Sequence, residues 1–584
     1  MGVCNSSKTN NNNNNNIGNS SKTTDNYYSN KVKLEKNNNL NINNNVHLNT
    51  IQLNTDNPNY SEYLNSNNKA SDILSGFKEG FKKYMFKENK EDSDKVSKQI
   101  NFELAGKGIG NPLENYLIER PLYESSVGAI WLAKHKLTQT LRTMKIHSKD
   151  ILNNYNEKAL LQNLDVLRKM DHPNIVKIFE FYNETDKLYI IQEYGQGGDL
   201  LEYVVENSPI DEFSAAYIVH QILYAIYFGH LSNIFHLDLK PENIIIDYIA
   251  NGLVHIKIMD FNCTEVKNNQ ILKKNNYMPM SSIYFAPPEA FNSVYNSYSD
   301  LWSIGVILYL LLSGKAPFMG EKENEVKEKI NRGSYDIKNY PWNKISKEAK
   351  DLVNKLLVKN PDDRIKLKDA LDHVWFKKLN LIEKTNYIER SVLLKQICNL
   401  KNYNYKKTLH DAVLTFLIHN SLHLPQMRDS CKMFNLFDYN KDGVVSIEDL
   451  NKAIENYIYN QDYGEYYEEF ENCEFLADEI LSNVDKNQRG YIEFEEFVKA
   501  CVDKERLLAD DILRYAFSYF DKDKSGDITV GELMMAFFGD KNDNNNNNKE
   551  SADLIERMMR EVDEDGNGEI DFLEFTKIMR SIIS

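Results

Sequence analysis

The stretch His236-Leu237-Asp238-Leu239-Lys240-Pro241-Glu242-Asn243 decides the fold. It places a carboxylate, an ammonium and an amide within eight residues, and Asp260-Phe261 follows seventeen residues later. Phosphoryl transfer needs such a set: a carboxylate orients the accepting hydroxyl and takes its proton, and metal ions hold the phosphates. In this reading Asp238 is the carboxylate and Lys240 neutralises the transferred group. Asn243 holds one Mg2+. A lone H-x-D is an ordinary loop; this ordered set is not.

Around that stretch the chain runs to 584 residues, too long for one core, so about three to five domains are expected. The net charge of −16 is localised. Residues 425–584 carry 38 acidic and 18 basic side chains, a net −20, which leaves about +4 elsewhere. Such an acidic third argues against nucleic acid and for a bound cation. Cys4, Cys263, Cys398, Cys431, Cys473 and Cys501 are scattered without metal-type spacing, as expected of reduced thiols in the cytosol. The longest apolar run, Ile304 to Leu312, is too short to span a bilayer. No signal-peptide apolar region follows Met1.

Met1-Gly2-Val3-Cys4-Asn5-Ser6 fits the N-myristoylation pattern with Gly2 as acceptor. One acyl chain holds a membrane only marginally, and Cys4 is placed for palmitoylation as the second signal. The expected location is the cytoplasmic face of a membrane. Residues 1–70 are Asn-rich, with an unbroken run from Asn10 to Asn16, and are expected to be disordered. Residues 71–115 form an extension. Ile73, Phe77, Phe81, Tyr84 and Met85 recur there at helical spacing among lysines. Packing on the next domain and a basic amphipathic surface helix both fit.

Residues 116–376 read as strands followed by helices, an α+β pattern. Strands are expected at 117–118, 129–132, 142–146 and 188–192, with a helix at about 154–169. A small β-rich lobe joins a larger helical lobe at Glu193-Tyr194-Gly195.

This region resembles a eukaryotic serine/threonine protein kinase. Taken together with the acidic C-terminal third, residues 116–584 resemble the calcium-dependent protein kinases of plants and protists. The resemblance implies a two-lobed kinase fold followed by an all-α, calmodulin-like EF-hand module. It implies ATP in the cleft, contacted by Leu122, Gly128, Ile130, Lys145, Glu193 and Asp260, and protein Ser/Thr substrates. Lys145, in Thr143-Met144-Lys145, matches the lysine that pairs the α- and β-phosphates, and Asp260, in Asp260-Phe261-Asn262, matches the Mg2+-binding Asp of D-F-G. Pro287-Pro288-Glu289 resembles A-P-E, whose glutamate is expected to pair with Arg364. Asp300 resembles the buried brace of the catalytic loop, and Asp199 sits where the family often has an acid for basic substrates.

Four departures stand out. Tyr123-Glu124-Ser125-Ser126-Val127-Gly128 keeps one of three loop glycines. Asn163 stands at the helix position of the glutamate that partners the lysine. Asn262 replaces the D-F-G glycine. Leu237 replaces the catalytic-loop arginine, so control by an activation-loop phosphate is not expected. The reading is an active kinase; the alternative is a calcium-sensing pseudokinase acting as a scaffold.

Four stretches have the spacing of calcium loops, with oxygen ligands at positions 1, 3, 5, 9 and 12, a backbone carbonyl at 7 and Gly at 6. Residues 438–449 offer Asp438, Asn440, Asp442, the Val444 carbonyl and Asp449. Asp at position 12 is short for bidentate binding. Residues 485–496 are degenerate, with Arg489 at position 5. Residues 521–532 offer Asp521, Asp523, Ser525, Asp527 and Glu532, and 563–574 offer Asp563, Asp565, Asn567, Glu569 and Glu574. The expected partition within 425–584 is three Ca2+ sites and one lost. Residues 377–424 carry helically spaced Leu393, Ile397, Leu400, Leu409, Val413 and Phe416. The resemblance makes this an autoinhibitory junction that the calcium-loaded hands capture.

Overall fold

The computed structural model describes residues 111–581 with internal breaks, the longest at 460–475. Gly2, Cys4, the expected helix near 71–88, Ser126, Val127 and Asn262 lie outside the described residues.

The small lobe is a five-stranded antiparallel sheet: β1 (Tyr116–Ser125), β2 (Gly128–His135), β3 (Leu141–Ser148), β4 (Ile178–Asn183) and β5 (Lys187–Glu193), in the order β1-β2-β3-β5-β4. Helix α1 (Glu157–Arg168) precedes β4. Strand β4 has no counterpart in the sequence reading. Its Ile-Phe-Glu-Phe-Tyr run lacks clean alternation because a register shift falls between Ile178 and Glu180.

The large lobe is built on α2 (Leu200–Asn207), α3 (Glu212–Leu231) and α4 (Ser299–Ser313). Asp211 caps α3 by accepting the Phe213 and Ser214 N–H groups. The apolar run Ile304 to Leu312 is the buried middle of α4, which stops at Gly314 with φ +74°. Among the described residues no helix is long and apolar enough to cross a membrane. The lobe also holds a hairpin, β6 (Ile244–Ala250) with β7 (Leu253–Ile258), directly after the catalytic stretch.

Past the lobe come α5 (Arg390–Lys401) and α6 (Thr408–Ser421), and then the hands. The first pair is α7 (Pro425–Phe437), β8 (Val444–Ser446), α8 (Ile447–Ile454), α9 (Leu476–Val484), β9 (Tyr491–Glu493) and α10 (Phe494–Cys501). The second is α11 (Asp510–Phe520), β10 (Asp527–Thr529), α12 (Val530–Phe538), α13 (Asn547–Val562), β11 (Glu569–Asp571) and α14 (Phe572–Arg580). In each pair a short antiparallel ribbon ties two loops, through Val445 opposite Ile492 and Ile528 opposite Ile570.

The junction helices do not lie free. Leu393, Ile397, Leu400, Leu409, Val413 and Phe416 are buried in one apolar cluster with Phe434, Phe497, Phe520 and Phe575 of the hands. Amphipathic helices whose apolar faces meet acidic hands remove that surface from water, which is the driving force for capture. The hands in turn rest on the kinase. Arg428 of α7 stacks 4.1 Å over Tyr248 of β6, and Lys368 Nζ donates to the Asn440 carbonyl at 2.5 Å.

Candidate functional site

Between the lobes is a cavity of about 370 Å³. Its walls include Tyr123, Gly128, Ile130, Lys145, His147, Gln192, Met259, Asp260 and Phe261. Strand alternation puts Lys145 and His147 on one face of β3. The retained Gly128 is required by packing: a Cβ there would lie 2.5 Å from the Ile146 carbonyl oxygen.

Two expected ATP contacts do not line this cavity. Leu122 falls in a register shift of β1 between Pro121 and Tyr123, so the alternation skips it and Tyr123 takes the cleft side. Glu193 turns its carboxylate to Lys257 Nζ (2.7 and 2.9 Å) and to the Lys177 N–H (2.9 Å), and its own N–H goes to the Lys177 carbonyl. Gln192, His147 and Met259 are cavity residues that the sequence reading lacks.

Lys145 Nζ pairs with Asp260. Burial raises the Asp260 carboxyl pKa, but the Lys145 ammonium, with His236 and His147 behind it, holds the group below the usual range. Asp260 has φ +65° and Leu237 φ +60°, so both the acid and the catalytic stretch carry left-handed backbone at non-glycine residues. Phe261 is buried against the His236 ring, 5.0 Å between centroids.

The catalytic stretch is pinned from below. Asp300 accepts the N–H groups of His236 (3.0 Å) and Leu237 (2.7 Å) and faces His230 Nε2 (2.8 Å). His236 Nε2 donates to the Met259 carbonyl at 2.9 Å, which ties the stretch to the residue before Asp260. Asn243 Nδ2 donates to the Asp238 carbonyl at 2.8 Å, leaving its amide oxygen for a cation. Lys240 Nζ lies 3.3 Å from Asp238 Oδ2 and donates to Ser282 Oγ at 2.9 Å. Ser282 went unseen in the sequence. Its only signal is a hydroxyl shortly before Pro287-Pro288-Glu289.

Glu289 and Arg364 form a buried bidentate pair at 3.0 and 3.2 Å. Asp199 Oδ1 caps α2 by accepting the Glu202 N–H at 2.9 Å. Leu237 is buried among Phe235, Ala286, Ala290 and Tyr295. An apolar cluster therefore fills the place of a phosphate-binding cation.

The calcium loops differ in how position 12 reaches. In the third loop Glu532 Oε1 accepts the N–H groups of Lys522 (2.7 Å) and Asp523 (3.2 Å), crossing the loop. In the fourth, Glu574 Oε1 accepts those of Glu564 (2.8 Å) and Asp565 (3.3 Å). Asp521, Asp523 and Glu532, and likewise Asp563, Asp565 and Glu574, offer carboxylate oxygens within 4.8 Å of one another, a fit for Ca2+. Ser525 Oγ donates to the Asp527 carbonyl at 3.0 Å, and Asn567 Oδ1 accepts the Glu569 N–H at 2.7 Å. In the first loop Asp442 accepts the Val444 N–H (3.1 Å) and an Asn440 Nδ2–H (2.9 Å). Asp449 accepts the Ser446 N–H (3.1 Å) and Oγ–H (2.5 Å), as Glu532 Oε2 does at Thr529 and Glu574 Oε2 at the Asp571 N–H, and among the described residues shows no matching contact across the loop.

Residues 116–376 match the protein kinase domain, and residues 427–502 and 510–580 each match the EF-hand domain pair. Calcium-dependent protein kinase 4 of Plasmodium berghei (strain Anka) is 32% identical over 471 residues, spanning 80% of this chain and 86% of that protein. The protein of the same name from Plasmodium falciparum (isolate 3D7) is 31% identical over 470 residues, again 80% and 86%. Calcium-dependent protein kinase 5 of Plasmodium falciparum (isolate 3D7) is 32% identical over 479 residues, 80% and 78%.

Proposed function

This chain belongs to the calcium-dependent protein kinases, and from that premise we propose how its parts divide the work. It is a calcium-regulated serine/threonine kinase that uses ATP. In the proposed mechanism Asp238 orients the substrate hydroxyl and accepts its proton, while Lys240, steadied by Asp238 and Ser282, neutralises the moving phosphoryl group. Lys145 binds the nucleotide phosphates. Asn243 and Asp260 would hold Mg2+, which would supply positive charge to neutralise the nucleotide phosphates. The observation that carries this reading is the joint pinning of the catalytic stretch and Asp260 by His236 and Asp300.

Regulation runs through the junction. Calcium-loaded hands bury α5 and α6, whose apolar faces lie in the hand core, and so withdraw them from the kinase. The Gly2 and Cys4 motif supports acylation and attachment to the cytoplasmic face of a membrane. Gly2→Ala is expected to move the protein to the soluble fraction; unchanged fractionation refutes the anchor. For the enzyme, the test is radiolabelled phosphate transfer to a basic Ser/Thr peptide, with calcium and in EGTA, beside Asp238→Asn. Transfer is expected from wild type in calcium alone. Equal label from wild type and Asp238→Asn overturns the reading.

A further inference from the structure

The second calcium loop, expected from Arg489 to bind no ion, keeps the shape of the others. Gly490 N–H reaches Asp485 Oδ2 at 2.6 Å, the same closing bond that Gly443, Gly526 and Gly568 make to Asp438, Asp521 and Asp563 at 2.9, 3.1 and 2.9 Å. The ribbon to the first loop is intact, Val444 to Ser446 against Glu493 to Tyr491. Carboxylates left facing one another around an empty centre would push such a loop open.

Arg489 occupies that centre. Its guanidinium bonds Glu496 Oε2 at 2.5 Å, pairs with Glu493, and brings Nε to 3.9 Å from Asp485 Oδ1. These acids stand at positions 12, 9 and 1 of the loop. The side chain is only 11% exposed and lies 5.0 Å over the Tyr491 ring. Glu496, so held, closes a capping box with Glu493 at the start of α10. A guanidinium keeps its charge at every physiological pH and, unlike an ion, cannot dissociate.

Helix α10 is also where the hands grip the kinase beside its cleft. Glu495 N–H donates to Asp171 Oδ2 at 2.6 Å, and Lys177 Nζ lies 3.8 Å from both Glu495 Oε2 and Asp171 Oδ1. Ile175 and Val176, between those two kinase residues, line the ATP cavity.

We infer that Arg489 is a built-in cation that keeps the second loop closed at any calcium concentration, making the second hand a permanent docking element against Asp171 and Lys177. Calcium then alters the other hands around a contact that never lets go. The inference rests on the module being a calcium sensor.

Hydrogen exchange on the full chain, in calcium and in EGTA, tests it with Arg489→Ala and Arg489→Asn. In wild type, amides of 487–501 are expected to keep their protection in EGTA to within about twofold. Arg489→Ala is expected to lose about tenfold or more at 487–501 and at 171–177 in EGTA. Arg489→Asn, which puts an oxygen at position 5, is expected to lose protection in EGTA. It is expected to regain it in calcium with one added equivalent by calorimetry, which also shows that the variant folds. Collapse of wild-type protection in EGTA, or Arg489→Ala matching wild type there, overturns the inference. The EGTA arm needs no bound calcium. A wild-type chain that binds no calcium refutes the sensor reading separately.

Discussion

The phenol of Tyr224, on kinase helix α3, donates a hydrogen bond to the carboxylate of Asp438, the first ligand position of the first calcium loop. The accepting oxygen, Oδ2, also takes the Gly443 N–H, while Oδ1 accepts only a longer bond, 3.2 Å, from Asp442. Phe228 presses on the same loop, and a Cβ on Gly443 would lie 2.3 Å from its ring. The kinase thus orients a calcium ligand from behind, as an outer-shell partner does in a metal site. By linkage, whatever factor this contact with α3 imposes on calcium affinity in the first hand, calcium imposes on the contact.

Tyr224→Phe removes that hydroxyl and little else. A hydrogen bond to a charged group contributes about 1.5–3 kcal/mol, discounted here because Gly443 still holds Oδ2. Calorimetry on the full chain is expected to show one calcium site weakened by about three- to tenfold, with the two sites of the second pair unchanged. An unaltered isotherm would show that Tyr224 only packs.

Asp449 stops one methylene short of the reach that Glu532 and Glu574 achieve across their loops. Asp449→Glu is expected to strengthen calcium binding in the first hand by roughly tenfold. The check is competition with a chromophoric chelator. Weaker binding would mean that the Ser446 capping box, which Asp449 now closes, matters more.

Ser282 steadies Lys240 rather than touching the proton in flight. Ser282→Ala is therefore expected to lower kcat by about tenfold with KM for ATP unchanged. Asp238→Asn, which removes the base, is expected to cost about a hundredfold or more. Steady-state kinetics on a basic peptide separate the two. Equal losses would place Ser282 in the proton path.

Leu237→Arg does not restore control by phosphorylation. The side chain is 7% exposed and lies in an apolar cluster, so a guanidinium there is buried among apolar side chains. A loss of about 3 kcal/mol or more in denaturant unfolding is expected. A variant as stable as wild type that responds to an activation-loop phosphate would contradict the packing described.

Much of the site was legible because its chemistry runs in short, ordered strings. The His236 to Asn243 stretch, Asp260-Phe261 and four loops with glycine at position 6 each carry their meaning within a dozen residues. The apolar faces of the junction were legible as well, since helical spacing marks which residues seek cover. That Tyr123 and not Leu122 lines the cavity was not legible, since a register shift falls between Pro121 and Tyr123 and no composition signals a bulge. The pairing of the Glu193 carboxylate with Lys257 was not legible because the two lie 64 positions apart.

The sequence by itself determined the order of domains, the acids and lysines of transfer, and which loops own a full set of oxygens. Covalent spacing along one helix, strand or loop is enough to set those. Tertiary structure decided what those groups face. It put Tyr224 behind Asp438 across 214 positions and Asp171 against Glu495 across 324. It also turned Arg489 from a missing ligand into a cation bonded to Glu493 and Glu496, with Asp485 3.9 Å away. Contacts at such separations come from the packing of whole domains, and packing depends on shape and burial that no local spacing encodes.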